Sequence, residues 1–324
     1  MRSARSTPHR KQVFAMPEAI AFAAYGGPEV LHPTGIDIPE PDPDQVRVAV
    51  RAAGVNPLDW KLRSGALAAA MPVELPYIPG LEFAGTVDAV GDGVGSLEPG
   101  DEVFGRAQHA YATLLVADTT MLRLRPDDLD VLRAAGLPVA AEAAYRALEE
   151  LGVAAGETLL VHGAGGAVGN LAVQFAVARG AHVVGTAAER VHRRLADLGA
   201  TPVTYGEGWA ERVRAVAPRG VHAVLDTSGA DVLGDSVGLA GGGAARVLTL
   251  ADPQAARAHG VRFSWGQAGS HLGAALDQAL ALHRRGTLSV PLAEPVPLAD
   301  AARAHRAGEA GGLSAKLVLT TAAE

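Results

Sequence analysis

The stretch Thr158–Val173, TLLVHGAGGAVGNLAV, leaves few folds open to the chain around it. Thr158 to Val161 are β-formers in a run of the length of a strand buried on both faces, and from Asn170 to Arg179 apolar residues recur at helical spacing. Between them lie Gly163, Ala164, Gly165, Gly166, Ala167, Val168 and Gly169, a turn almost without side chains. Such a strand, turn and helix lets backbone N–H groups and the positive helix end come close to a pyrophosphate. The glycines fall as G-x-x-G-x-x-G (Gly163, Gly166, Gly169), with Gly165 as a further small residue, rather than as the usual G-x-G-x-x-G. A tight loop in any α/β protein would have the same look. A second strand, His182–Ala187, follows one helix later as a dinucleotide-binding fold requires, and favours that reading.

A chain of 324 residues has room for two cores. Its formal charge of −7 gives no reason to expect nucleic acid or an anionic membrane as partner. Zero Cys removes disulfides, thiol catalysis and thiolate zinc sites together, and the 11 His form no H-E-x-x-H pattern. No apolar stretch reaches membrane-spanning length without Gly, Pro or charge, so a cytoplasmic protein is expected. Residues 1–16 are basic and lack the apolar run of a secretory signal, which reads as a flexible tail with Met16 as a second candidate start.

From Glu18 the pattern turns β-rich: AIAFAAY, a Gly26-Gly27-Pro28 turn, the alternating strand Gln45–Ala53, a hairpin signal at Gly91-Asp92-Gly93-Val94 and a strand opened by Pro99-Gly100. This is an antiparallel, barrel-like start. Helical spacing covers Leu129–Leu151 with Pro138 dividing or kinking it. Strands are then expected near 158–162, 182–187, 202–205, 222–226, 245–250 and 260–264 with helices between, followed by helices Leu272–Arg285 and Leu298–Ala310 and a last strand Lys316–Thr320. The fold class is α/β.

Ordered blocks from about Glu18 to Thr320 carry a resemblance: AYGGPEVL, VNPLDWKLRSG, PGLEFAGTVDAVGDGV, PGDEVFG, AAGLPVA, LLVHGAGGAVGNLAVQFA, AVLDTSGADVL and AKLVLT. The chain resembles the medium-chain dehydrogenase/reductase superfamily, in its zinc-free quinone oxidoreductase or ζ-crystallin-like branch. Where zinc members write Gly-His-Glu, this chain has Gly80-Leu81-Glu82, and Leu81 cannot bind zinc. The resemblance implies a GroES-like β-rich catalytic domain (17–130 and 265–324) with an inserted Rossmann domain (131–264), the site in the cleft between them, and a homodimer formed through the edge strand near Val261–Phe263.

The second strand ends in Thr186-Ala187-Ala188, where NAD-specific sites carry an acid for the ribose hydroxyls. Small residues there leave room for a phosphate, and Arg190, Arg193 and Arg194 follow; NADPH is the expected cofactor. Glu189 argues the other way, and the arginines also fit a solvated helix start. The resemblance adds Tyr205 beside the adenosine phosphate, Leu248, Thr249, Leu250, Phe263 and Trp265 at the nicotinamide end, and Lys316 approaching it from the closing strand.

Hydride transfer without metal needs a side chain, a backbone N–H or water to polarise the acceptor. Asn56, Asp59 and Lys61 stand together in the segment that the resemblance places beside the nicotinamide: Asn56 as a hydrogen-bond donor, Lys61 as a charge for an enolate, Asp59 orienting Lys61. An ordinary Asn-Pro turn and an exposed ion pair are the plain alternatives. Tyr77, Tyr111 and Tyr145 are the remaining hydroxyls considered, each equally readable as packing. Two segments depart from the family: Arg106-Ala107-Gln108-His109 replaces a glycine-rich stretch at the cleft mouth, and Ala143 stands near where relatives offer a Thr hydroxyl. The expected activity is NADPH-dependent reduction of a quinone or an α,β-unsaturated carbonyl compound. An enoyl reductase acting on a thioester or secondary-metabolite intermediate, with Arg63 and Arg106 at a basic mouth, is one alternative; a non-catalytic NADPH-binding protein is another.

Overall fold

The computed structural model describes residues 18–266 and 271–321. The expected basic tail, 1–16, lies outside them. Two large sheets organise the chain. One is antiparallel over most of its seven strands and is centred on Gln45–Gly54, which pairs with Glu82–Val90, with Leu114–Asp118 and with the closing strand Val318–Thr320. Val46, Val48 and Val50 alternate inward with a period of two and fill one apolar core with Phe83, Val103 and Leu319. Ala52 to Gly54 are buried because the sheet is covered on both sides there: Ala52 belongs to the helical core with Ala134 and Ala135 and Ala53 to the apolar core of the sheet, while Val318–Thr320 pairs along their edge.

The second sheet has six strands, all parallel, in the spatial order Ala200–Thr204, His182–Ala187, Thr158–His162, Ala223–Asp226, Val247–Thr249, Arg262–Phe263. In chain order these are the third, second, first, fourth, fifth and sixth, so the order reverses beside Thr158–His162 and opens a crevice at its carboxyl end. Every residue of that strand is buried, as the unbroken apolar run requires when helices cover both faces.

Pro138 divides the helical stretch rather than kinking it. Val131–Ala135 ends at Gly136, and Pro138 opens Pro138–Leu151 at its first turn, where the missing N–H has no helical partner to lose. The helix Leu272–Arg284 shares its apolar core with Pro138–Leu151. The same helix also meets the antiparallel sheet, Asp277 pairing with Arg123, and the chain rejoins that sheet through its backbone at Leu292, which bridges Lys316, and then at Val296–Pro297. The sixth parallel strand is two residues long and, among the described residues, pairs only with Val247–Thr249, at one edge of the sheet. Among the described residues no helix is long and apolar enough to cross a membrane.

Candidate active site

The glycine turn is shaped by what a Cβ would strike. Gly163 has φ +74°, open to glycine at little cost, and a side chain there would press on Thr227 Oγ1 at 2.7 Å. At Gly169 a Cβ would lie 2.8 Å from Ala164 Cα and closer still to the Gly163 carbonyl, so helix and strand touch through bare backbone. Gly166 is the extended N-cap of the helix Ala167–Ala178, whose first ladder bond runs from Asn170 N to Gly166 O. The amides of Ala167 and Val168 thus precede the ladder and are available to an anion. Ala164 is buried, its amide bound to Thr186 O at 3.1 Å. Gly169→Ala is expected to destabilise the protein by about 1–3 kcal/mol through overpacking against rigid backbone, read as a lowered thermal midpoint.

Beyond the turn, a cavity of about 1090 Å³ runs between the two sheets. Val168 joins it to the glycine turn; Leu250 and Trp265 line it from the parallel-sheet side, and Leu58, Tyr77 and Leu81 from the other. Met71 to Pro76 form part of the wall, and Lys61, Arg106, Gln108 and His109 supply polar groups. Ala143 is on the wall, one turn from Arg146, whose guanidinium is held by Glu142 and Glu150 and by the Ser264 hydroxyl. His109 adopts φ +63°, uncommon outside glycine, and its Nδ1 bonds the Ile78 carbonyl at 2.9 Å.

Several candidate residues do not reach this cavity. Asn56 caps the helix Pro57–Arg63 and is buried; its amide donates to Glu82 Oε1 at 2.8 Å and accepts from Lys316 Nζ at 2.6 Å. Lys316 is equally committed, 2.6 Å from Glu82, so its ammonium is not presented to a ligand. The other Glu82 oxygen receives the Val139 amide at 2.7 Å and so ties the antiparallel sheet to the helix Pro138–Leu151. Asp59 does not orient Lys61. A helix puts residues two apart on different sides, and here Asp59 faces inward while Lys61 is exposed. Tyr145 is no donor in the cleft either: its ring faces Arg179 at 5.0 Å and His271, within the helical layer. Of the remaining residues expected at the nicotinamide end, Leu248 is core, Thr249 donates to Asp226 at 2.7 Å, and Phe263 packs on Trp265.

Asp59 instead ends a buried chain. Its Oδ2 accepts from Asn56 N at 2.8 Å and from the Tyr111 hydroxyl at 3.1 Å, Tyr111 lies 3.1 Å from His305 Nε2, and His305 Nδ1 faces Arg63 at 3.4 Å. Arg63 can only donate, so Nδ1 accepts, Nε2 carries the proton and donates to Tyr111, and Tyr111 donates to Asp59. Burial, helped by the Arg63 charge, pushes His305 down to about 3, and burial pushes Asp59 up to about 7 against the pull of the Asn56 amide and Lys316. Arg63 itself is closed by Glu309 and the Gly26 carbonyl, far from a basic cleft mouth.

At the far end of the glycine turn, Arg194 donates to Gly165 O at 2.9 Å and Arg190 to Gly312 O at 2.6 Å and Ser314 Oγ at 3.2 Å. Gly165 sits 3.6 Å, by its missing Cβ, from the same Ser314 hydroxyl. Arg190 is therefore anchored to the loop before the closing strand rather than free on a helix start. Thr186 is turned inward to His162 at 3.1 Å, and Tyr205 is exposed. Burial pushes His162 down to about 4, which keeps it neutral between Thr186 and Ser236. Sequence reasoning had no signal for His305 or His162, and read Glu82 only as the neighbour of Leu81.

Comparison with known proteins completes the picture. Residues 42–137 match an alcohol dehydrogenase GroES-like domain and residues 167–262 a zinc-binding dehydrogenase domain. A quinone oxidoreductase of Pseudomonas aeruginosa is 31% identical over 321 residues, covering 90% of this chain and 95% of that protein. The chain belongs to the medium-chain dehydrogenase/reductase superfamily, in its quinone oxidoreductase branch. Against the quinone oxidoreductases of Lama guanicoe and Homo sapiens this superfamily member is 41% and 42% identical, but the match spans about half of their length (54% and 52%) and a similar share of this chain (55% and 52%). Among solved structures, a quinone oxidoreductase from Coxiella burnetii superposes with TM-score 0.82 at 28% identity, covering 95% of this chain and all of that one (100%). An Escherichia coli quinone oxidoreductase complexed with NADPH does so at 0.80 and 26% identity, with 94% and 99% coverage. This dehydrogenase/reductase chain has the fold expected of the resemblance, a GroES-like sheet joined to a Rossmann-type one.

Proposed function

We propose that this protein is an NADPH-dependent, metal-independent oxidoreductase that reduces a quinone or an α,β-unsaturated carbonyl compound. The observation that carries the reading is continuity: Val168 belongs both to the glycine turn and to the wall of the 1090 Å³ cavity, so a dinucleotide on the turn would direct its far end into a largely apolar cleft. The bare backbone at Gly163, Gly165 and Gly169 and the amides of Ala167 and Val168 suit its pyrophosphate. NADPH supplies the hydride when bound. Leu81 and the absence of Cys from the sequence leave polarisation of the acceptor to a side chain, a backbone N–H or water, and Lys61 and Tyr77 are the side chains on the wall that suit it. Lys61 would offer its charge to an enolate that develops beside the apolar part of the lining.

Arg190 is the residue assigned to the 2′-phosphate, and the exposed Tyr205 to the adenosine phosphate beside it. NADPH is expected to bind at least about tenfold tighter than NADH, some 1.4 kcal/mol, in calorimetric titrations. Arg190→Ala should abolish that preference, whereas Ser314→Ala, which removes only the loop contact, should keep it. Equal affinity for the two nucleotides in the unaltered protein would refute the assignment. Binding of NADPH without turnover of any quinone or enone would favour a non-catalytic binding protein. The same reading includes a cytoplasmic location and a homodimer paired through Arg262–Phe263, whose free edge suits a two-fold axis.

A further inference from the structure

The cavity carries charge that its own walls do not neutralise. Its formally charged lining comprises Lys61, Arg106 and Arg146 against Glu74 and Glu142, in a chain whose formal charge is −7. Arg146 is spoken for by Glu142 and Glu150. Arg106 ends the strand Glu102–Arg106 directly across from Glu82, the carboxylate that would ordinarily pair with it, but Glu82 has both oxygens occupied by Lys316, Asn56 and the Val139 amide. Half-buried Arg106 thus lines the cavity with no carboxylate partner within salt-bridge distance among the described residues, and the same holds for Lys61. Glu74, the remaining acid, is exposed on the Met71–Pro76 wall and pairs with neither. Downstream, His109 holds the Arg106–His109 segment in place at the cost of a left-handed backbone, with Gln108 beside it.

A guanidinium kept unpaired beside apolar walls is a receptor for a planar or tetrahedral oxyanion, because its fork meets two oxygens at once and the surroundings screen it little. Resting on the reading of the site as an NADPH-dependent reductase, we propose that Arg106, with Lys61, recognises an anionic group on the acceptor, so that the substrates are acidic quinones or enones bearing a carboxylate or sulfonate away from the reducible bond.

The test compares naphthoquinone with its sulfonate at saturating NADPH, in the unaltered protein and in Arg106→Met and Arg106→Lys. Intrinsic reactivity of the two quinones is common to all three proteins, so it cancels when the kcat/KM of the sulfonate divided by that of the parent quinone is compared between them. That ratio is expected to fall by about tenfold or more in Arg106→Met, through the KM of the sulfonate, and to be largely retained in Arg106→Lys. A ratio unchanged within about twofold would overturn the proposal, as would a raised KM for NADPH with none for the sulfonate, which would assign Arg106 to the cofactor. If neither quinone nor any enone is turned over, the reductase reading fails by itself. Calorimetric binding of the sulfonate to the unaltered protein and to Arg106→Met then decides the anion site, equal affinities refuting it.

Discussion

Glu82→Ala is expected to cost about 3–5 kcal/mol of folding stability, because it leaves the Lys316 ammonium buried with no countercharge. Glu82 is fully buried and accepts from three groups that belong to different parts of the chain: Lys316 before the closing strand, Asn56 at the start of a helix, and the Val139 amide in the helix that leads toward the parallel sheet. Loss of the carboxylate leaves the Asn56 and Val139 donors without this acceptor and Lys316 with the neutral Asn56 carbonyl alone. The pair as a whole is a different matter from either half, since two desolvated charges hold only part of what their burial costs. Glu82→Gln with Lys316→Met should therefore recover much of the loss, and a double-mutant cycle in denaturant should return a coupling energy well above 1 kcal/mol. Additive single effects would mean that the two charges act independently despite their 2.6 Å separation.

Titration of stability should expose the buried chain from Arg63 to Asp59. Asp59 rises from 3.8 to about 7 on folding, so the folded state holds an extra proton between those values and its stability falls as pH rises through them. His305 and His162 descend from 6.5 to about 3 and about 4, so each contributes stability that is present above 6.5 and lost as pH falls. Between about pH 4 and 6.5 one of these two imidazoles offsets Asp59 and the other leaves a net rise with pH; above 6.5 only the fall from Asp59 remains. Asp59→Asn removes the falling component. Its stability relative to the unaltered protein should shift in its own favour by up to about 4 kcal/mol between pH 4 and pH 8, the worth of a three-unit displacement. A difference that does not vary with pH, followed by chemical denaturation at each pH, would show that Asp59 is not the group that titrates.

How much of this was legible depended on how local the cause was. The strands Thr158–His162 and His182–Ala187 stood in the sequence as drawn in the structure, since an uninterrupted apolar run bounded by glycines has no other use in a chain of this composition. Pro138 could be read as a divider because it acts on its own helix. Asn56, Asp59 and Lys61 looked like one constellation because they are near neighbours in the chain, yet the helix that begins at Pro57 turns Asp59 inward and Lys61 toward the cleft. That helix was the element missed, and with it went the pairing.

By itself the sequence determined the glycine turn between a buried strand and a helix, the parallel sheet around it, the antiparallel start and the exclusion of thiolate and His-based zinc chemistry at Leu81. These rest on residue types at short spacing, where backbone geometry leaves little choice. Only the tertiary structure decided which polar groups are spent and which are free. Asn56 and Lys316 are separated by 260 residues and were both read as facing a ligand, but they meet on Glu82 inside the protein, while Arg106 lines the cavity with no carboxylate partner among the described residues, since Glu82 is already taken. A buried charge must find its partner wherever the fold brings one, and no spacing along the chain records which partner that will be.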